Sequence, residues 1–415
     1  MSEWTCKSVG LRIIELPKSV FPAGMAEDIG SYPFFCSSPV VKKINHWLHD
    51  GNTILMGTGG VATVHYGQNR FAYSTDTWAF TVADSATNIS FLFRQFEHKL
   101  KQIEYFGFEG SGLKHLQKEY IRKLELLTPP LNEQNVVVKV LDTIDTAIQQ
   151  TQAIINKLKQ LKQGLLHDLL TRGVDAKGEL RPCYEDAPHL YKESPLGWIP
   201  KEWEVTQVGN EVSIEHGFAF AGGLFTNEPI GPVLLVPGNF HRDGELYFTP
   251  HNTKYFTGKY PKETVLSRGD LLVVMTDLSP MTLILGRTAI LQEKHLVLHN
   301  QRIGKYIFKS KKDWSTSFFS SFMNDDRVRT RIIAEATGTT VRHTSPERIK
   351  DCYIAKPSLD EQKKIDSHLL AIHTRLDLEK NNLLKLIQQK TALMDDLLTG
   401  RIRVTSLLQT EASSV

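Results

Sequence analysis

The chain repeats itself, and the repeat limits its architecture more than any local motif does. Residues 131–171 align with residues 359–399 without a gap, at an offset of 228, and 15 of the 41 aligned positions are identical. The first copy opens Leu131-Asn132-Glu133-Gln134 and closes Asp168-Leu169-Leu170-Thr171. The second opens Leu359-Asp360-Glu361-Gln362 and closes Asp396-Leu397-Leu398-Thr399. Each copy carries one apolar stripe. In the first it runs Val137, Leu141, Ile144, Ile148, Ile155, Leu158, Leu165, Leu169; in the second, Ile365, Leu369, Ile372, Leu376, Leu383, Leu386, Leu393, Leu397. The steps alternate four and three, which is a heptad seam on a long helix. The same two seam positions are polar in both copies, Thr151 with Glu379 and Lys162 with Lys390. At about 1.5 Å per residue each helix spans roughly 60 Å. A narrow seam fits another narrow seam, so the spacing predicts that the two helices pair. A pseudo-two-fold relation between the halves makes that pair antiparallel, with Thr151 facing Glu379 near the crossing point.

The repeat continues upstream at the same offset. Gly110-Ser111-Gly112-Leu113-Lys114-His115 aligns with Gly338-Thr339-Thr340-Val341-Arg342-His343, Ile121 with Ile349, and Pro129 with Pro357. Glu3-Trp4 followed by Val9-Gly10 is echoed by Glu202-Trp203 followed by Val208-Gly209, now at an offset of 199, so the intervening stretches differ in length. Those stretches lack helical periodicity over any length. They carry short strand-like runs such as Thr53-Ile54-Leu55-Met56, Thr77–Val82, Val233–Val236 and Asp270–Met275, separated by glycine turns. Helical patterns near Ile89–Glu104 and Ser315–Ala336 make each a mixed α/β domain. The expected organisation is a globular domain over 1–128, a helix over 129–172, a linker over 173–200, a second domain over 201–356, a second helix over 357–403, and a flexible tail over 404–415.

Composition adds exclusions. At 415 residues there is room for two or three domains with real cores. The formal charge of +3 is too small to point to nucleic acid by itself, so any DNA-facing surface is local. Cys6, Cys36, Cys183 and Cys352 lie far apart, without the paired spacing of a zinc or redox site. His46 and His49 have ligand-like spacing but no acidic or thiol neighbours, and no metal is expected. The N-terminal residues lack the apolar core of a signal peptide, and no apolar run reaches membrane-spanning length. A cytoplasmic protein with no membrane partner is expected.

The segment Ser194-Pro195-Leu196-Gly197-Trp198-Ile199-Pro200-Lys201-Glu202-Trp203-Glu204-Val205 resembles the opening of a target-recognition domain in the specificity subunits of type I restriction–modification enzymes. Gly338–His343, Ser358-Leu359-Asp360-Glu361-Gln362 and Asp395-Asp396-Leu397-Leu398-Thr399-Gly400 resemble the segments that close such a domain and run through its spacer helix. The first domain departs in one respect: its entrance, Glu3-Trp4-Thr5-Cys6, lacks the Pro-Leu-Gly-Trp-Ile-Pro lead. The resemblance implies two target-recognition domains joined by two long helices in an antiparallel coiled coil. Each domain then reads one half of a split double-stranded DNA target. It implies as partners two modification subunits, which methylate adenine with S-adenosylmethionine that they bind themselves, and restriction subunits that use ATP and Mg. The chain itself holds no cofactor and does no chemistry.

Side-chain chemistry nominates DNA contacts. In the second domain His299-Asn300-Gln301-Arg302 forms a polar cluster, with Thr276, Thr282 and Arg287 on nearby strand ends. Asn and Gln match the edge of adenine, and Arg that of guanine. The bland alternative is a solvated turn. In the first domain Thr58, in Gly57-Thr58-Gly59-Gly60, and Tyr66, Asn69 and Arg70, in Tyr66–Arg70, mark polar tips. Their alternative is ordinary hairpin chemistry. Lys42-Lys43 is a candidate phosphate pair. Lys114 and Arg342 lie in the loop that both halves share, so they either dock domain to helix or touch phosphate; they cannot tell two half-sites apart. Phe108-Glu109-Gly110-Ser111-Gly112 fits a methyltransferase cofactor loop, but the second copy loses the Phe and the last Gly. A self-contained DNA methyltransferase and a coiled-coil scaffold that never touches DNA are the competing functions.

Overall fold

The computed structural model describes residues 4–412. They form two compact units. One is built from residues up to Ile155 together with those from Glu379 onward; the other is Asn156–Leu378. Both units are mixed α/β.

In the first unit a four-stranded antiparallel sheet has the order Ile13–Glu15, Thr77–Val82, Thr53–Gly57, Val64–Gly67. A second sheet has the order Lys42–Ile44, Tyr32–Phe35, Arg70–Tyr73, His49–Asp50, and its middle pair is parallel. The central strand Thr53–Gly57 is buried at every position, which is why it reads as an unbroken apolar run. Its alternation separates two cores. Ile54 and Met56 pack with Trp78, Phe80, Leu92 and Phe96 under the helix Ile89–His98. Leu55 packs with Ala79 against Phe35, Phe71 and Tyr73 of the second sheet.

The second unit repeats this plan strand for strand. Its antiparallel sheet has the order Val212–His216, Ile303–Phe308, Leu271–Val274, Thr288–Ile290. Its other sheet runs Phe225–Thr226, Lys254–Phe256, Val233–Leu235, Val297–His299, Val265–Leu266. Again Val233–Leu235 and Val297–His299 are the parallel pair, and the added strand lies at the edge. Leu271 and Val273 face the helical side with Phe318, Phe319 and Phe322; Leu272 and Val274 face the other sheet with Leu235, Val297 and Ala289.

The repeated segments are helices Leu131–Thr171 and Leu359–Leu398. Every seam position named above is buried or half-buried, including the polar Thr151 and Glu379. Apolar residues off the seam, Ile154, Leu161, Leu370, Leu378, Leu384 and Ile387, are exposed. The stripe was therefore legible residue by residue. Within the first unit the start of one helix and the end of the other share a core of Val136, Val137, Leu141, Met394, Leu397 and Leu398, and Lys390 bridges Asp145 at 3.0 Å. Within the second unit Leu165, Leu169 and Leu170 pack with Ile365 and Leu369.

The repeated Glu-Gln pair explains how helix and domain join. Gln134 is fully buried; its Oε1 accepts from the Asn88 N–H at 2.7 Å, and its Nε2 donates to the Ala86 and Pro129 carbonyls. Gln362 repeats the set with the Ser315 N–H and the Asp313 and Pro357 carbonyls. Glu133 takes the Trp4 indole N–H and the Arg403 guanidinium. Glu361 takes the Trp203 indole and Arg181. In each unit a glycine with left-handed φ packs against that Trp: Gly400 (φ 73°) on Trp4, Gly173 (φ 62°) on Trp203.

Two segments differ from expectation. The linker is built into the second unit: Tyr191–Ser194 and Gly197–Pro200 form a hairpin, with Tyr191, Ile199 and Arg181 buried. The expected loose tail begins with Val404, which is buried, and continues as helix Thr405–Ala412. No helix among the described residues is long and apolar enough to cross a membrane.

Candidate nucleic-acid interface

In each unit three segments meet at one end of the antiparallel sheet, and the backbone bonds that join them are the same. In the second unit the Met275 N–H donates to the Arg302 carbonyl (3.0 Å), and the Thr344 N–H donates to the Met275 carbonyl (3.0 Å). Thr276 and Asp277 then pair with His343 and Arg342. In the first unit the Thr58 N–H donates to the Asp76 carbonyl (2.9 Å), the Leu116 N–H to the Thr58 carbonyl (3.0 Å), and Gly59 bridges His115. The shared loops Gly110–His115 and Gly338–His343 therefore dock in the same way onto the end of the central strand. These bonds tie each loop to its own domain's central strand and not to the long helix.

The second unit brings all of its nominated residues together at this end. Gln301 and Arg302 are exposed, and the Arg302 guanidinium makes no hydrogen bond or ion pair among the described residues. Asn300 is buried beneath them; its Oδ1 accepts the Arg302 N–H at 3.1 Å and so shapes the turn. Thr276 is buried, with its Oγ1 3.1 Å from His343 Nδ1. Arg287 is half-buried and donates to the Asn324 carbonyl. Burial pushes its guanidinium below the usual range. Thr282 sits in the loop between Asp277 and Thr288 with φ 50°, and Arg342 donates to the Gly338 carbonyl.

That loop is braced from below. Arg329, 7% exposed, donates to the carbonyls of Thr282, Leu283 and Leu285. Burial, with repulsion from Arg287, lowers its pKa to about 10, so it stays charged at neutral pH. His299 lies buried with Nε2 2.9 Å from the Ile303 carbonyl, and burial holds the imidazole below its ordinary value. It is a framework residue of the turn.

The first unit divides its nominated residues. Thr58 and Lys114 lie at the joined end. Thr58 Oγ1 is spent on the Asp76 carbonyl, while Lys114 is exposed. Tyr66, Asn69 and Arg70 lie at the opposite end, because Gly67 pairs with Thr53 at the far end of the central strand. Tyr66 stacks on Phe93 and accepts from Ser90. Asn69 takes a left-handed φ of 56° in the hairpin, and Arg70 pairs with Asp50 over the Trp47 ring. Lys42 and Lys43 are exposed on the strand next to Tyr32–Phe35. At the joined end stands instead a turn that sequence reasoning passed over, Ser74-Thr75-Asp76. It is short and reads as ordinary punctuation, and no residue in it matches its counterpart in the other half.

The Phe108–Gly112 segment is half of a hairpin, with Phe108 and Glu109 paired to Leu116 and His115. A cofactor loop between a strand and a helix has a different form.

Residues 21–160 match the family described as the type I restriction modification DNA specificity domain. The MjaVIII specificity subunit of Methanocaldococcus jannaschii, a type I restriction enzyme component, is 26% identical over 307 residues, covering 72% of this chain and 67% of that protein. The chain is thus similar, in its first third and across much of its length, to type I restriction enzyme specificity subunits. The EcoDI specificity subunit of Escherichia coli is similar over a shorter stretch, 23% identical over 48% of the chain and 47% of its own length. The same fold is seen in the S subunit of the M. genitalium type I restriction–modification system, at a TM-score of 0.58 and 14% identity over 95% of this chain and 96% of that one.

Proposed function

We propose that each unit reads one half of a bipartite duplex DNA target at its joined end, and that the two halves of the target differ. The observation that carries this is internal. The two units share sheet order, helix docking and backbone bonds at that end, yet they present different side chains there. A shared frame with different tips suits a protein that reads two unlike half-sites.

In this reading the exposed Lys42, Lys43 and Lys114 hold phosphates, which positions the protein without reading sequence. Gln301, Arg302 and Thr282 face base edges. Thr58, Thr276, Asn300, Arg287 and Arg342 shape the loops, and Tyr66, Asn69 and Arg70 stand apart. The two seams pair as an antiparallel coiled coil about a pseudo-two-fold, and the pair sets the distance between half-sites. Two modification subunits supply S-adenosylmethionine and adenine methylation; restriction subunits supply ATP- and Mg-dependent cleavage. The chain acts as the non-catalytic reader of that cytoplasmic assembly.

The test is the pattern of methylated adenines left by the chain assembled with its modification subunits. The expected result is a two-part motif that is lost or relaxed in one half when Gln301 and Arg302 are both replaced by Ala. An unchanged motif removes these two residues as readers. The purified single chain binding S-adenosylmethionine would revive the methyltransferase alternative.

A further inference from the structure

We infer that Thr75 and Asp76 are the base-reading pair of the first unit, the counterpart of Gln301 and Arg302, and that Asp76 takes the amino-bearing edge of a cytosine. This rests on the proposal that the joined ends face DNA.

The equivalence is geometric, since sequence shows none. Ser74 bridges Phe21 in parallel fashion as Asn300 bridges Phe218. The Thr75 N–H donates to the Phe21 carbonyl at 2.8 Å, as the Gln301 N–H donates to the Phe218 carbonyl at 3.0 Å. The Thr77 N–H closes the turn on the Ser74 carbonyl, as Ile303 closes on Asn300. The carbonyls of Asp76 and Arg302 accept from Thr58 and Met275, the same step on the central strand. Burial follows: Ser74 and Asn300 are buried and brace their turns, whereas Thr75, Gln301 and Arg302 are exposed and Asp76 is half-exposed. Ser74 Oγ donates to Asp76 Oδ1, and the second carboxylate oxygen has no partner among the described residues.

Around each turn stand exposed aliphatic tips, Val61 and Leu113 in the first unit, Leu278 and Met281 in the second. Leu113 reaches to about the Gly59–Gly60 backbone, and the Leu278–Met281 tip follows Asp277. Aliphatic groups beside a polar reader match thymine methyls in the major groove.

The chemistry of the two turns is opposite in sign. A carboxylate only accepts, and an arginine only donates. Amino donors on the major-groove edge belong to cytosine and adenine, but adenine sets its N7 acceptor beside the amino group, which repels a carboxylate. Cytosine is therefore the partner of Asp76. Guanine, with O6 and N7 both acceptors, is the partner of Arg302. Each half-site then contains a G·C pair, read from the cytosine side by the first unit and from the guanine side by the second.

The experiment compares the wild-type chain with Asp76→Ala, Asp76→Asn and Arg302→Ala, each assembled with its modification subunits and checked for an unchanged melting temperature. The readout is adenine methylation on a pool of duplexes randomised at each position of the wild-type motif. Asp76→Ala is expected to lose discrimination on the order of 10-fold at one C·G pair in one half-site. Asp76→Asn keeps the acceptor for Ser74 and adds donors, so preference at that same position moves toward adenine. Arg302→Ala relaxes a position in the other half-site. Asp76 variants that keep the wild-type motif, or that alter the half-site Arg302 reads, overturn the inference. A wild-type assembly that leaves no two-part motif overturns the underlying proposal instead.

Discussion

Gly217 shows how tightly the Asn300–Arg302 turn of the second unit is held. A Cβ there would lie 2.2 Å from the Asn300 carbonyl oxygen and 2.6 Å from that of His299, both backbone atoms with nowhere to go. Gly217→Ala therefore has to displace the strand end that carries Gln301 and Arg302. The expected cost is about 1–3 kcal/mol of stability, as for other overpacked sites. Methylation of the full target by the assembled enzyme should fall at least on the order of 10-fold, since each lost bidentate base contact removes about that much. Melting by circular dichroism and methyl transfer on one duplex check both, and wild-type methylation would show that the turn tolerates the shift. Residue chemistry was partly legible in the sequence. Gln301 and Arg302 stood out as polar groups at a strand end. Tyr66–Arg70 stood out equally, yet lies at the opposite end of the sheet from Thr58 and Lys114, because which end of a strand a hairpin occupies depends on pairing. Asp76 was invisible for the same reason: Phe21, which holds its turn at Ser74 and Thr75, and Thr58, which donates to its carbonyl, come from segments distant in sequence.

At the level of elements, the seam and the Glu-Gln signature were readable because both follow from helical spacing within one segment. Their partners were not, because Trp4, Arg403, Arg181 and Trp203 reach those glutamates across sequence distance. Glu133 is a direct test. The Arg403 guanidinium, with the Trp4 indole, holds its carboxyl below the usual carboxylate range against the opposing effect of burial. A carboxyl whose folded-state value is depressed stabilises the fold fully above its unfolded value, about 4.3. That stabilisation is lost as pH falls below it toward the folded value. Glu133→Gln should lower the melting temperature at pH 7, and the variant should lose less on acidification from pH 5 to pH 3 than the wild type does. Parallel pH slopes for the two would show that the pair contributes nothing through ionisation. Gln134→Ala tests the neighbouring lock. It leaves the Asn88 N–H and the Ala86 and Pro129 carbonyls without their partner, at a cost of about 2–4 kcal/mol on typical values for buried polar groups. Urea unfolding followed by tryptophan fluorescence reads that loss.

On the scale of the whole molecule, the sequence divided the chain into whole domains and whole helices, whereas the compact units cut both helices in the middle. Each unit takes the start of one helix and the end of the other. The first unit therefore closes around both ends of the described chain, with the Arg403 guanidinium 5.4 Å over the Trp4 ring. A single heptad seam specifies neither its partner nor its direction; the expectation of an antiparallel pair came from the matched seams and the pseudo-two-fold between the halves. Two constructions separate the consequences. A chain ending at Leu378 lacks Met394, Leu397, Leu398, Arg403 and Val404, so the first unit loses part of a core and the partner of Glu133. Hydrogen exchange should then show residues 131–155 and the strands around Thr53–Val82 losing protection while Leu271–Phe308 keeps it. A circular permutant keeps the core contacts of both units and disturbs only the local turn at Cys183–Ala187. It joins residue 412 to residue 4 through about 12 Gly/Ser residues, which span at most ~40 Å, and opens the chain in the exposed turn between Glu185 and Asp186. Because domains whose ends meet tolerate such rewiring, the permutant should melt within about 5 °C of the parent, a shift that corresponds to roughly 1–2 kcal/mol. It should also leave the same methylated motif. A permutant that folds but writes a different motif would mean that chain order, and not the closed pairing of helix ends, sets how the two reading ends are presented to DNA.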